Sequence, residues 1–577
     1  MSTDDIRILR DLATRYMEIA TKPVQEERRS IWRRQNSLKP VTPPIYVRAF
    51  AFREFPESRT ECQDPFFRHY ERTLREAIYR DRFADDFIIE PWISVRAAVI
   101  TPPEGLWGLP IQWSDRVEEH GSHTMIPTIV EPEDAERMVV PHHVVDEEET
   151  ARRCDRLSEA IGDIVPLDVD RKPAYFMWAG DISTHLTQMR GLEQLMLDML
   201  DRPEWLHGVL AFMRDGILRV HLEAEEAGHW TLSSHQNQAV PYAEELPDPA
   251  ANSGPVERRQ LWYYMASQET TLVGPRLFDE FMLQYQIPIM APFGLAAYGC
   301  CEDLTKKIPL LQRIPNLRRI AVAPAANVAR CAEQIGDGHV VSYRPSPADM
   351  VGYGFDPDRV RSIMRADLQA CRANGCHVDV TLKDVETVQG DPTRVPRWVE
   401  IAREVIDEVY TASRGGGAHL GLQWNPRHGS STAVNWGGYG SDGGILDGTA
   451  SPIASTVDDP NTRSWPWRPS RRYRLRIHRG DGDGWWAGEV ADLHTGADFH
   501  VVFYYRIVPE SHCFWNEHSI RNAHRIPLID NLYSLSNFIA RIGESQFFTL
   551  LFSGSWGEGE TKAKARFFVA SLLSSNR

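Results

Sequence analysis

Net positive charge is missing from this sequence. Its 64 Lys and Arg stand against 80 Asp and Glu, a balance of −16. That excludes a general nucleic-acid or anionic-membrane binder, because phosphate recognition needs a basic face. Long apolar runs are missing too. No stretch approaches 18 consecutive apolar residues, so no membrane-spanning helix is expected. The opening MSTDDIRILRDLATRYMEIA reads as a charged amphipathic helix. It has no basic start, apolar run or small-residue cleavage site of the secretory kind. Cysteine is sparse: eight in 577 residues do not make a disulfide framework. The expected setting is a reducing cytoplasm, where thiols stay available for metal or chemistry.

What the chain does have is ordinary globular material, 42% apolar and 25% charged, at a length that exceeds one core. Composition changes near residue 413, after the small-residue stretch TASRGGGAHLG (411–421). From there on the chain holds 20 of its 39 Gly and 8 of its 17 Trp, with 17 Lys and Arg against 15 Asp and Glu. The whole acidic excess therefore lies before residue 413. Three parts are expected: a helical extension over 1–60, an α/β domain over 61–412, and a β-rich domain over 413–577. In the last, short runs such as YRLRIH and FHVVFYYRIV suggest an all-β sandwich or jelly roll. Its tryptophans are read as core in preference to a sugar-binding surface.

In the central part, β-like runs alternate with helical patterns. FIIEPWISV (87–95), PAYFMWAG (173–180), WTLSSH (230–235) and LWYYMASQE (261–269) come first. GLAAYGC (294–300), LRRIAVA (317–323), HVVSYRP (339–345) and CHVDVTL (376–382) follow, each before a helical pattern. Such alternation predicts parallel strands with crossover helices. About eight units predict a (β/α)8 barrel, with an open doubly wound sheet as the competing topology. In a barrel, chemistry sits at the C-terminal strand ends. Those ends are Glu90, Asp181, His235, Ser267 to Glu269, Tyr298 to Glu302, Arg344, and Lys383 with Asp384. Glu269 is the expected orienting or proton-moving carboxylate, with an ion pair to Arg319 or Arg344 as the plain alternative. Arg344 is the expected clamp for a substrate carboxylate or phosphate. Lys383 and Asp384 read as a rim pair or a solvated one. His185 and His235 read as satisfied lone histidines.

The stretch AAYGCCEDLTKK (297–308) concentrates two cysteines and a glutamate. Cys300 ends one expected strand and Cys376 begins another. Two thiolates suit Zn²⁺, which at a catalytic site takes three protein ligands and keeps one position open. Candidates for the third ligand are Glu302, Cys301 and His377. Strand alternation would turn Cys301 away from Cys300 and bring Glu302 to its face. Cys62, Cys154, Cys331, Cys371 and Cys513 read as inert.

Over roughly 60–412 the chain resembles the uroporphyrinogen decarboxylase-like superfamily, in particular its corrinoid- and cobalamin-dependent methyltransferase branch. The resemblance rests on residues 62–95, 267–336 and 376–406. It implies the barrel fold and movement of a methyl group at a zinc–thiolate site. Relatives of that kind carry His-x-Cys and a second Cys some seventy residues on. Here the first motif reads Tyr298-Gly299-Cys300 and the second is Cys376, with Glu302 able to replace the histidine. The implied ligands are thus Cys300, Cys376 and Glu302, and the implied catalytic residues are Glu269, Glu302 and Arg344. No Asp-x-His-x-x-Gly motif is present, so a corrinoid is expected on a partner protein, beside a small methyl donor or acceptor. A metal-free decarboxylase-like lyase and a non-catalytic tetrapyrrole- or sugar-binding protein are the alternatives.

Overall fold

The computed structural model describes residues 3–116, 123–352 and 354–411, together with eight strands between 418 and 569. Residues 1–406 form one compact unit and 407–577 another. Strands of the second unit pair antiparallel, for example Ala418–Asn425 with Ser431–Gly438 and Tyr473–Arg479 with Trp485–Asp492. The sandwich or jelly-roll expectation, and Cys513, concern residues that lie mostly outside those described. Among the described residues no helix is long and apolar enough to cross a membrane.

The first unit is built on eight parallel strands. They are β1 Ile45–Val47, β2 Ile93–Arg96, β3 Leu167–Asp170, β4 Trp262–Met265, β5 Leu295–Tyr298, β6 Leu317–Val322, β7 Val340–Tyr343 and β8 His377–Leu382. Six join in a curled parallel sheet of order β1-β8-β7-β6-β5-β4, while β2 and β3 form a separate parallel pair. All four residues of β4, β5 and β7 are buried. A parallel sheet covered on both faces requires this. Helices Val328–Ile335, Pro357–Ala373 and Arg394–Ile406 follow β6, β7 and β8 in the expected alternation.

Of the expected (β/α)8 barrel, the structure shows a curled parallel sheet of six strands, half a barrel. Two local causes are visible. The outward amides of β1 donate to side chains instead of to a neighbouring strand. Ile45 N–H goes to Asp86 (2.7 Å) and Val47 N–H to Asp85 (2.8 Å). These carboxylates occupy the ladder positions that β2 would need. Two expected strands are also not strands. In PAYFMWAG the chain turns at Met177, where φ is +51°. In WTLSSH, Thr231 and Ser234 bond to each other in a capping box around a short 3₁₀ turn, a local alternative to a ladder. In FIIEPWISV the strand begins only after Pro91.

The segment 1–60 is more than an extension, since it supplies β1. Its helix α1 Thr3–Ala20 shares an apolar cluster with α3 Pro65–Arg80 and α4 Glu147–Ile161, centred on Leu9, Leu12, Leu74, Leu157 and Ile161. Its second helix, α2 Val24–Asn36, buries Trp32 completely. Asn36 accepts from Arg319 of β6 at 2.6 Å, and Arg319 pairs with Asp379 of β8 at 2.7 Å. Ser342 of β7 and Thr381 of β8 also donate to Asp379. One buried polar network thus ties α2 to three adjacent strands.

Candidate active site

The C-terminal ends of β4, β5, β7 and β8 carry the polar groups that come together. After β5 the chain turns at Gly299, whose φ is +103°. A Cβ there would stand 2.7 Å from the Leu304 side chain and 3.0 Å from Ala321, so any other residue would be strained by the backbone and would displace Leu304. This turn ends the strand alternation that would have sent Cys300 and Cys301 to opposite faces. Their sulfurs instead lie 3.6 Å apart. Lys383, the first residue after β8, donates to both, at 3.3 Å to Cys300 and 3.0 Å to Cys301. It also pairs with Asp384 at 2.7 Å, and Asp384 stands 3.6 Å from the Cys301 sulfur. Cys300 is buried, whereas Cys301 and Asp384 reach solvent.

Electrostatics separates the two thiols. The Cys300 pKa falls below its ordinary value: the hydrogen bond from the Cys301 thiol favours its thiolate, burial opposes it, and Arg344 and Lys383 add positive charge. Cys301 keeps the shared proton and its pKa rises, first through that same bond to Cys300. Burial lowers the Lys383 ammonium, but the Cys300 charge together with the bonds to Asp384 and Cys301 outweighs it and the net shift is upward. The charges of Arg344 and Lys383 thus favour a thiolate at Cys300, with Lys383 in contact as counter-ion.

Glu302 is fully buried and clamps the turn. One oxygen accepts the Cys300 amide at 2.6 Å and the other the Ser267 amide at 3.0 Å. Burial raises its pKa, against those same backbone donors. It holds the loops after β4 and β5 in register and does not face the sulfurs as a ligand. Glu269, in the turn after β4, accepts from Ser183 (2.8 Å) and Thr184 (3.1 Å). It has neither of the arginine partners considered for it, since Arg319 belongs to Asp379. Beside it Asp181 is fully buried, and burial followed by the nearby Glu269 charge pushes its carboxyl well above the usual range. Arg344, the first residue after β7, donates through Nη1 to the Cys300 carbonyl at 2.7 Å.

Cys376 does not join this group. The sheet register places Tyr298 level with Ile320, Val341 and Val378. Cys300 lies two residues beyond that level and Cys376 two before it. Four residues amount to about 13 Å along the strands, with three inter-strand steps besides. Zinc–sulfur bonds are about 2.3 Å long, so Cys300, Cys376 and Glu302 cannot share one ion in this structure. Cys376 instead donates to the Ala332 carbonyl at 3.4 Å and interacts with Cys371. Among the described residues no three His, Cys, Asp or Glu side chains converge as a metal site. The residues therefore do not fit the implied zinc.

Two other expected rim residues sit elsewhere. Glu90 precedes β2 and pairs with Arg29 (2.9 Å) and Tyr242 (2.8 Å). His235 accepts the Trp262 amide at the start of β4 (3.2 Å). His185 is mostly buried, and burial lowers its pKa to about 4. Sequence reasoning underrated Lys383, although its place at a strand end was the available signal. It missed Gln238 and Tyr264, which approach Cys300 closely enough to act on its charge.

No family model matches the chain, and no curated protein matches it. Among solved structures it is similar to a methyltransferase from Methanosarcina mazei, with a TM-score of 0.37 and 10% identity, over 65% of this chain and 98% of that one.

Proposed function

We propose that residues 1–406 are a methyltransferase-type unit whose reacting group is the Cys300 thiolate. The observation that carries this reading is Lys383, whose ammonium lies within 3.3 Å of both sulfurs at the C-terminal mouth of a parallel sheet. A cation at that distance holds the thiolate without a metal, and the thiolate is the nucleophilic form of cysteine. The resemblance in the AAYGCCEDLTKK stretch supports methyl as the group moved and a corrinoid on a separate protein as its source. In the step envisaged, sulfur attacks the methyl carbon, an S–CH₃ bond forms, and the bond to the donor breaks with its electron pair staying on the donor. Glu269, held by Ser183 and Thr184 beside the buried Asp181, supplies a fixed carboxylate for orienting the incoming molecule.

The test is incubation of the whole protein with methylcobalamin, followed by peptide mass spectrometry. The expected result is a single methyl on Cys300, absent in Cys300→Ser. A Cys300 peptide that stays unmodified, in a protein whose Cys300 also alkylates no faster than a free thiol, overturns the reading.

A further inference from the structure

Arg344 is 3% exposed, yet no carboxylate pairs with it among the described residues. Its Nη1 is spent on the Cys300 carbonyl. Its Nε is buried without a partner, and Nη2 makes no hydrogen bond among the described residues. Nε and Nη2 form the side-on edge of the guanidinium, two parallel donors spaced for the two oxygens of a carboxylate. Two more polar groups face the same sulfur. Gln238, 7% exposed, approaches Cys300, has a buried amide oxygen without a partner, and its backbone is held at φ +57°. The Tyr264 hydroxyl, on a residue 1% exposed, also reaches toward Cys300 and meets no other group. Buried polar atoms are normally satisfied, and each one left bare costs free energy. The bare Arg344 edge and the Gln238 amide oxygen beside one nucleophile, with the glutamine in a left-handed conformation it disfavours, indicate a site built to receive a further molecule.

We infer that the small methyl donor or acceptor that meets Cys300, as distinct from the corrinoid, bears a carboxylate, received by the Nε–Nη2 edge of Arg344 with Gln238 and Tyr264 completing its hydrogen bonds. The inference rests on the reading of Cys300 as nucleophile and adds the substrate class. Lys383, already committed to the sulfurs and to Asp384, leaves Arg344 as the cation available for that anion.

Two alkylating reagents of nearly equal size decide it. Iodoacetate carries the carboxylate and iodoacetamide does not. With both, the Cys300 sulfur attacks the CH₂ carbon and iodide leaves. Rates at Cys300 are followed by peptide mass spectrometry on the whole protein and divided by those of glutathione under the same conditions. The expected result is a normalised preference for iodoacetate of about tenfold or more, the worth of one charge-assisted hydrogen bond. Its rate should saturate with concentration and fall when propionate competes. In Arg344→Gln the preference should vanish, and in Gln238→Ala it should shrink. A linear, unpreferred iodoacetate reaction beside a fast iodoacetamide reaction overturns the carboxylate site and leaves the nucleophile intact. That outcome would assign the bare donors to water. If neither reagent labels Cys300, the nucleophile reading falls instead. A propionate titration of tryptophan fluorescence then decides the site, because Trp178 packs against Tyr264 at 5.2 Å. A saturating change in the wild type, flat in Arg344→Gln, upholds the site, and a flat response in both overturns it.

Discussion

At the scale of single residues, the site is an arrangement of one proton and one lysine. Cys300 and Cys301 share a hydrogen bond, and Lys383 supplies positive charge to both sulfurs. Replacing Lys383 by Met removes the cation but keeps the packing. The thiolate then loses a counter-charge within hydrogen-bond distance, so the Cys300 pKa should rise by about one to three units. The sign is definite: reactivity present in the wild type below neutral pH moves to higher pH in Lys383→Met. Iodoacetamide labelling of Cys300 between pH 5 and 9 reads the midpoint directly, and an unchanged midpoint refutes Lys383 as counter-ion. The cysteines themselves were legible in the sequence, because two adjacent thiols at a strand end are rare. Their orientation was not. Alternation predicts opposite faces only while the strand continues, and Gly299 ends it one residue earlier.

At the scale of elements, the tight rhythm of strand and helix from β4 to the helix Arg394–Ile406 was readable because each strand is an unbroken apolar run followed by a helical period. The strands lost from the expectation each carried a local competitor: a hydroxyl cluster at Thr231 and Ser234, and a left-handed residue at Met177. Such competition is invisible to periodicity, since it depends on where a side chain bonds. The error on Cys376 has another origin. The sequence places it next to a strand, but only the register across β5, β6, β7 and β8 reveals that it lies at the opposite end from Cys300. The buried pair of Arg319 and Asp379 was equally hidden, because its members lie on different strands. This pair fastens the middle of the sheet. Arg319→Met strands Asp379 with two hydroxyl donors and no cation. Breaking a buried pair from one side costs about 3–5 kcal/mol. Urea unfolding followed by circular dichroism should show a loss of that size, and a loss under 1 kcal/mol would mean that Ser342 and Thr381 suffice.

At the scale of the whole first unit, the amino-terminal sixty residues are structural members. They provide an edge strand, six of the seventeen buried residues of one apolar cluster and the buried Trp32. A protein beginning at residue 61 should therefore fail to fold its α/β unit, exposing Val380 and its neighbours along a bare sheet edge. Loss of cooperative unfolding and recovery in the insoluble fraction are the expected readouts, and a soluble truncated protein with an intact melting transition would contradict this. β1 meets β8 through Ile45 and Val380, about 330 residues apart. During synthesis the first strand therefore leaves the ribosome tens of seconds before its neighbour exists. Until then it has no ladder to join, and the reactive mouth between β5 and β8 cannot be assembled on the nascent chain. The unit matures late, after nearly all of it has been translated, so it should depend on holding chaperones more heavily than a fold closed by local contacts.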